Sequence, residues 1–381
     1  MTAPVSKNNR IIELDIIRGF ALFGVLLVNL TMIDATLYTD VASSLSHSFS
    51  MSLWLIETLA VGKFYTLFSI LFGIGFYYFV FKGSTAPDAS TLLQNTQLFK
   101  RRLVLLLFMG ILHLIFVWYG DILHVYAITG FFLIGKRDNK ARTLIQTGLL
   151  WWLCSVVIFA FLSSMPSASN ESVAKAALVA YQSSSYLEML LYRVTHELPL
   201  ILTNLAIVPV RIYGLFLLGY GIAKSGLLSH LERHLTVIKK LCLVFGLLFI
   251  GVSIGENLFS NAFVQSLFKE LSTLIGATFY ASSLILLDQT RWTRKIIRPL
   301  AGLGQMAVTN YLMQTICFTF IYYGYGLAMF QKFEPANYWY FAFGFILIQL
   351  LLSNVWLKYH RFGPVEWVWR RLTYRQNPKE A

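Results

Sequence analysis

Apolar residues along this chain come in long unbroken runs, not in strand-like alternation. Ten such runs can be read, at roughly 14–33, 58–81, 102–119, 121–135, 143–162, 199–223, 238–258, 267–287, 299–322 and 337–358. Each is about 20 residues, the length an α-helix needs to cross ~30 Å of hydrocarbon. The pattern predicts an all-α, polytopic transmembrane bundle of about ten spans. It forms one integral membrane domain over residues 1–381, with spans 1–5 in 14–162, an outer loop at 163–198, spans 6–10 in 199–358 and a tail at 359–381.

The gaps between runs sort by charge. Of the 31 Lys and Arg residues, 25 fall in the N-terminal lead, every second gap and the C-terminal tail. Those gaps hold Lys82 with Lys100 to Arg102, Lys136 to Arg142, Lys224 to Lys240, and Arg291 to Arg298. The intervening gaps hold Asp34, Asp40, Asp121, Glu171, Glu188, Glu197, Glu256 and Glu334, with Lys63 and Glu57 expected near the same interface. Basic loops stay on the cytoplasmic side, so both termini are expected there, in a multi-pass membrane protein. The net charge of +13 is then an orientation signal and asks for no nucleic-acid partner.

Composition agrees with this placement. With 57% apolar and only 13% charged residues, the chain has too little polar surface for a soluble protein. The first run lacks a small-residue cleavage site and contains Asn29, which reads as a retained helix and not as a signal peptide. Cys154, Cys242 and Cys317 sit inside apolar runs without metal-type spacing and read as small core residues; no metal is expected. Val173 to Leu198 has helical character and reads as a passive interfacial helix in preference to a lid. Pro364 to Leu372 reads as an amphipathic helix whose Trp367 and Trp369 suit the headgroup layer, followed by a polar, disordered end.

Polar residues within the runs are the candidate chemistry, because an ionisable group in hydrocarbon is costly and usually faces a cavity or a partner. Asn29 lies 11 residues beyond Arg18, His113 lies 11 beyond Arg102, Asn310 lies 12 beyond Arg298, and Arg211 lies 13 before Lys224. At ~1.5 Å per residue all four stand ~16–20 Å from the basic edge. Arg211 follows Pro209, whose ring clashes with the Leu205 carbonyl and should kink the helix. The guanidinium there suits an anionic ligand, or else an interior acceptor. Asn310 and Gln314 share a helix face, with Gln305 and Thr309 beside them. Asp121 lies eight residues after His113, read as about 12 Å along the axis, where a turn-forming Asp is the simpler role. Asp15 and Arg18 can pair at the basic rim, joined there by Glu366 and Arg370. The short Gly-Ile-Gly and Gly-Leu-Gly pieces at 73–75 and 302–304 read as helix contacts, and motifs of soluble enzymes are absent.

Several segments together resemble the YeiB family of bacterial membrane proteins. They are Leu14-Asp15-Ile16-Ile17-Arg18-Gly19 with Val28-Asn29, Lys63-Phe64-Tyr65-Thr66-Leu67-Phe68-Ser69 with Leu71-Phe72-Gly73, and His113 with Gly120-Asp121-Ile122-Leu123 and Tyr126. Thr309-Asn310-Tyr311-Leu312 with Gln314-Thr315 and Gly363-Pro364-Val365-Glu366-Trp367 with Trp369-Arg370 complete the match, which covers nearly the whole chain in order. Members of that family have been labelled transport proteins, and the resemblance implies a multi-pass protein of a bacterial inner membrane. The first-span signature is also similar to that of a membrane acyltransferase superfamily that includes heparan-α-glucosaminide N-acetyltransferase. The superfamily's catalytic histidine stands at or just after the asparagine. Here the next histidine is His47, 18 residues on in a Ser-rich loop, and His113 is the better placed imidazole.

Two functions follow as expectations. In the first, an acyltransferase takes an acyl group from cytoplasmic acyl-CoA, acetyl-CoA for example. Asp15, Arg18, Glu366 and Arg370 would meet the donor, His113 would act as general base, and Asn29 or Asn310 would stabilise the oxyanion. In the second, a transporter or exporter holds a small anionic metabolite at Arg211, with Gln314 and Asp121 as further substrate contacts. The expected partners are the lipid bilayer and a small-molecule substrate, and the sequence leaves room for an oligomer.

Overall fold

The computed structural model describes residues 11–38, 50–81, 88–165, 171–229 and 231–374. His47, Asp40, Lys82 and the polar end from Gln376 lie outside the described residues. The first half holds α1 (Ile12–Ile33), α2 (Met51–Leu59), α3 (Lys63–Phe81), α4 (Ala89–Phe116), α5 (Leu123–Ile134) and α6 (Ala141–Ser164). An outer segment follows, with α7 (Glu171–Gln182), α8 (Tyr186–Tyr192), a wide π-type turn (Arg193–Glu197) and α9 (Leu198–Asn204). The second half holds α10 (Val208–Lys224), a short 3-10 turn (Leu231–His234), α11 (Leu235–Leu258), α12 (Ala262–Gln289), α13 (Arg291–Ile297), α14 (Leu300–Gln305), α15 (Ala307–Tyr322), α16 (Pro335–Tyr359) and α17 (Pro364–Tyr374). The fold is all-α, with no β-strand among the described residues.

Every one of the ten apolar runs is helical, but fewer are full spans. Among the described residues six helices are long and apolar enough to cross a bilayer, or seven if α8–α9 and α10 count as one bent span. The shortfall has local causes. The 28-residue α4 starts well before its apolar run and carries Lys100, Arg101 and Arg102 mid-helix. The 12-residue α5 rises only ~18 Å. The run at 299–322 is broken at Met306 into α14 and α15. The run at 199–223 is bent by 48° where Pro209 occupies the first turn of α10, and α9 has already ended at Asn204.

The charge sorting is reproduced as geometry. At one end Lys224 Nζ donates to the Arg137 and Asn139 carbonyls, Arg101 to the Thr373 carbonyl, and Arg298 pairs with Asp288. At the other end the Tyr119 hydroxyl bonds the Met32 carbonyl, and Lys269 lies near Glu57. There Asp34, just past α1, accepts from the Gln331 N–H at 2.5 Å and the Tyr338 hydroxyl at 2.8 Å. Burial pushes the Asp34 carboxyl up to about 6 in spite of those two donors. These two ends are called basic and acidic below.

Apolar side chains face outward as well as inward. Leu243, Leu247, Ile250 and Leu258 on α11, and Leu347, Leu351 and Val355 on α16, are exposed, as lipid-facing residues are. Cys154 is exposed and Cys242 and Cys317 are half-buried, so the cysteines lie away from the core position expected of them. Inside, backbones touch. A Cβ on Gly19 would collide with the Leu300 carbonyl, and one on Gly304 with the Asp15 carbonyl, which seats α1 on α14. Gly73 meets the Phe216 carbonyl in the same way. Packing of this kind replaces the hydrophobic drive that is missing between helices in lipid.

Two segments differ from expectation. The outer segment is docked onto the bundle and is not an interfacial helix: Tyr181, Met189, Arg193 and Glu197 are all buried. Trp369 of α17 is buried against α4, where its indole donates to the Arg102 carbonyl and its ring stacks under that guanidinium, so only Trp367 is left to face outward.

Close backbone contact makes a stability prediction. Gly19→Ala and Gly304→Ala should each destabilise the detergent-solubilised protein by roughly 1–3 kcal/mol, because a methyl must displace a carbonyl. Gly75→Ala and Gly344→Ala, where nothing lies within 4 Å, should stay within about 0.5 kcal/mol of the parent. Thermal unfolding of the four variants checks the contrast.

Candidate functional site

The most developed polar cluster forms where α4 stops. Phe116 ends the helix, and the N–H groups of Val117 and Trp118 turn back onto the His113 carbonyl. The chain reverses within a few residues, so Asp121 returns beside His113 instead of continuing along an axis. Its Oδ1 lies 3.1 Å from His113 Nδ1, not the separation of about 12 Å expected from an unbroken helix. Oδ2 accepts from the His124 N–H at 3.0 Å and lies 2.7 Å from His124 Nδ1, which caps the start of α5. One carboxylate is thus shared by two imidazoles. Gly110 permits this, since a Cβ there would collide with the His124 backbone nitrogen.

All three side chains are buried. His113 Nδ1 and Asp121 Oδ1 face each other at ion-pair distance without the alignment of a hydrogen bond. The second ring nitrogen lies 2.7 Å from Thr315 Oγ1, whose hydroxyl is also in reach of the Tyr311 and Leu312 carbonyls. The Tyr311 ring packs 5.4 Å from the His113 ring, with its hydroxyl beside Ile122 and Asp121. Nε2 of His124 has no hydrogen-bond partner. His124 was not singled out from sequence. Its signal is the Asp-x-x-His spacing, a carboxylate just ahead of the N-cap Ile122 that takes both the backbone N–H and the ring of the same histidine.

Arg211 is held elsewhere. Its Nη2 lies 2.5 Å from Glu270 Oε2, its Nη1 donates to the Tyr65 hydroxyl at 2.6 Å, and its guanidinium stacks 3.8 Å from the centre of the Phe159 ring. The anion beside Arg211 is therefore the chain's own Glu270, which sequence reading passed over because it lies within an apolar run. Nearby Lys63 is fully buried, with Nζ donating to the Glu57 carbonyl, where an interfacial position was expected. Ser69 and the Tyr126 hydroxyl, 2.8 Å apart, both bond the Tyr65 carbonyl.

Asn310 and Gln314 face α16. Asn310 Nδ2 donates to Ser353 Oγ and the Leu303 carbonyl, and Gln314 Nε2 donates to Gln349 Oε1, whose own amide donates to the Asn310 carbonyl. This stripe joins helices. Asn29 is buried on α1, and its amide nitrogen has no hydrogen-bond partner. The four groups do not converge: His113, Arg211 and Asn310 have separate partners and the Asn29 amide nitrogen has none, because a count of residues along four helices does not set the direction in which each side chain points.

At the basic end Asp15 Oδ1 accepts from Arg18 Nη1 at 2.8 Å. Glu366 is committed to α15: Oε1 accepts from the N–H groups of Val308 and Thr309 at 2.8 and 3.0 Å, and Oε2 accepts from the Thr309 hydroxyl at 2.5 Å. A carboxylate there satisfies first-turn donors and complements the helix dipole. Arg370 stacks on Phe362, and Arg18, Arg370 and Glu366 all lie within Coulombic reach of Arg102. The positive groups of this rim come from α1, α4 and α17.

Comparison with known proteins places the whole chain. The family model described as "Protein of unknown function (DUF418)" matches residues 222–376. "Uncharacterized protein YxaH" of Bacillus subtilis is 32% identical, over 97% of this chain and 96% of its own. "Uncharacterized 39.9 kDa protein in amylase 3'region" of Bacillus acidopullulyticus is 31% identical, over 98% and 96%. "Uncharacterized protein YeiB" of Escherichia coli is 27% identical, over 96% and 97%. No solved structure matches. Full-length likeness at this level, with the helical bundle and its apolar outer face, makes the chain a membrane protein that belongs to the DUF418 family, the family of YeiB and YxaH.

Proposed function

We propose that the protein is an acyltransferase of a bacterial inner membrane, with its basic end cytoplasmic, passing an acyl group from acyl-CoA to an acceptor at or across the bilayer. The observation that carries this reading is the Asp121 carboxylate 3.1 Å from His113 Nδ1; a proton held on that side makes Nε2 the base, once the acceptor hydroxyl takes the place of Thr315 Oγ1 beside it. In the reaction the acceptor O–H gives its proton to His113 Nε2 while its oxygen attacks the thioester carbonyl. The carbon–sulfur bond breaks, and the departing CoA thiolate takes the proton back from His113. The Asn29 amide, buried and without a partner, is a donor for the oxyanion. Asn310 serves by holding α15 to α16.

The basic rim suits the donor. Arg18, Arg102 and Arg370 supply fixed positive charge for phosphates, with Asp15 positioning Arg18 and Glu366 fixing the end of α15. Arg102 and His113 share α4, 11 residues or ~16 Å apart. An extended pantetheine arm bridges such a distance, so the thioester reaches the imidazole while the phosphates stay at the rim.

A second reading rests on the 48° bend ahead of α10, with Arg211 just past it. There the protein carries a small anionic metabolite, which exchanges with Glu270 for Arg211 as the bent helix moves, and Asp121 and Gln314 line the route.

Three outcomes are expected. Purified protein should bind acetyl-CoA, and Arg18→Ala should lose that binding in equilibrium dialysis; absence of binding by the parent at millimolar ligand sinks the acyl-transfer reading. Asp121→Asn should lower acetyl-CoA-dependent thiol release in native membrane vesicles by about 10²–10⁴-fold while leaving donor binding intact. In proteoliposomes, Arg211→Ala should abolish anion flux under the second reading, with helicity retained; undiminished flux removes that reading.

A further inference from the structure

One buried charge outside this centre is only partly satisfied. Arg193, in the π-type turn of the outer segment, is 1% exposed. Its Nη1 donates to the Ile115 carbonyl at 3.1 Å, a cation on the C-terminal turn of α4. Its Nε and Nη2 are sealed from solvent and have no hydrogen-bond partner. Among the described residues no carboxylate lies within 4.0 Å of this guanidinium. The Tyr181 hydroxyl lies within hydrogen-bonding range of the guanidinium, without the alignment of a bond to Nε or Nη2, and donates to Glu197 Oε2 at 2.7 Å, with Glu197 itself in Coulombic reach of Arg193.

The two unpartnered atoms define one edge of the guanidinium. That edge carries two parallel N–H bonds, the fork that grips a carboxylate or phosphate through two oxygens. The surroundings extend the pattern. The Tyr323 hydroxyl is fully buried without a partner and lies within Coulombic reach of Arg193. Oε1 of Glu197 is likewise buried without a donor. The wide turn places residues 193 and 197 near one face, so both point into the bundle. Tyr181 and Tyr323 pack edge to face with centroids 4.6 Å apart and wall the place with apolar surface. Buried polar atoms are rarely left unmatched, and here two kinds converge: an oxyanion-gripping fork and one bare carboxylate oxygen.

We infer that Arg193, Tyr323 and Glu197 form a binding site for a small molecule that carries an oxyanion, as carboxylate or phosphate, together with a hydroxyl or ammonium donor. The fork and the Tyr323 hydroxyl hold the oxyanion, and Glu197 Oε1 accepts from the donor group. Ile115, which Arg193 touches, is two residues past His113, so the bound molecule lies at the acidic end within ~3 Å of axial rise of the imidazole. Entry requires the outer segment to lift, since these atoms have no solvent contact. A role for the molecule as acyl acceptor rests on the acyl-transfer reading; its binding does not.

The experiment measures binding alone, on full-length protein in phosphatidylcholine nanodiscs without any acyl donor. Inorganic phosphate and glycolate are titrated separately while the unfolding temperature is followed. A saturable rise is expected, with apparent affinity weakened at least about tenfold in Arg193→Gln and Tyr323→Phe and unchanged in Arg298→Gln. If a lipid headgroup supplies the oxyanion, nanodiscs containing phosphatidylglycerol raise the unfolding temperature of the parent but not of Arg193→Gln, and they suppress the titration. No saturable rise from either source, or an equal rise in Arg193→Gln, overturns the site. Should Arg193→Gln fail to fold, an undiminished response in Tyr323→Phe overturns it. A silent transfer assay leaves a positive binding result standing, so failure of one idea is distinguishable from failure of the other.

Discussion

A helix that ends inside a bilayer leaves unpaired N–H or C=O groups where no water can reach them, and each costs several kcal/mol unless something in the protein takes it up. Much of the buried chemistry of this chain answers that requirement. Asp121 sits at the start of α5, Glu366 at the start of α15, and Arg193 at the end of α4. Anions stand at N-termini and the cation at a C-terminus, the signs that the helix dipole favours. Charge is thus concentrated where the apolar runs are interrupted, and the interruptions decide where the protein can do polar work.

This limits what a count of residues can place, in height as well as in direction. Counting residues from the basic rim predicts a common level for Asn29, His113, Arg211 and Asn310, but the count assumes unbroken helices. The break at Met306 leaves Asn310 next to Thr309, which bonds Glu366 of the basic end, while His113 bonds Thr315 five residues further on. Azimuth depends on which helix packs alongside. Glu270 faces Arg211 across 59 positions and Ser353 faces Asn310 across 43, and no local pattern encodes such pairings. Charge sorting was readable because loop charge is a local property that insertion itself senses. The short α5 and the break at Met306 were missed because apolar composition continues through both. The docking of the outer segment was missed for the opposite reason: its few inward residues, Tyr181, Arg193 and Glu197, are scattered among exposed ones.

Several segments that carry the family likeness meet in space. Thr309 and Glu366 lie 57 residues apart and are joined by two hydrogen bonds, with the Val365 N–H returning to the Thr309 hydroxyl. Gly363 is required beside them, since a Cβ would collide with Glu366 Oε2. Tyr65, Ser69 and Tyr126 meet likewise, as do His113, Asp121 and Thr315. Motif pieces that look independent in sequence are here two sides of single contacts, which gives a physical reason for them to occur together.

The two ends of the bundle differ in a way that bears on mechanism. At the basic end three arginines from separate elements stand close enough to repel one another, and the nearest carboxylates are already engaged, Asp15 with Arg18 and Glu366 with α15. At the acidic end a single arginine is enclosed under a docked segment with one edge unmatched. A polyanion such as a nucleotide needs the first arrangement, because several charges must be met at once and exchanged with water. A small molecule taken out of water needs the second, where one fork in a low-dielectric site binds more strongly than it would at a surface. Between them lies an imidazole held by a carboxylate, on the same helix that reaches the basic rim. Under the proposed acyl transfer, the two ends would serve as donor and acceptor sites of unlike chemistry on either side of that imidazole.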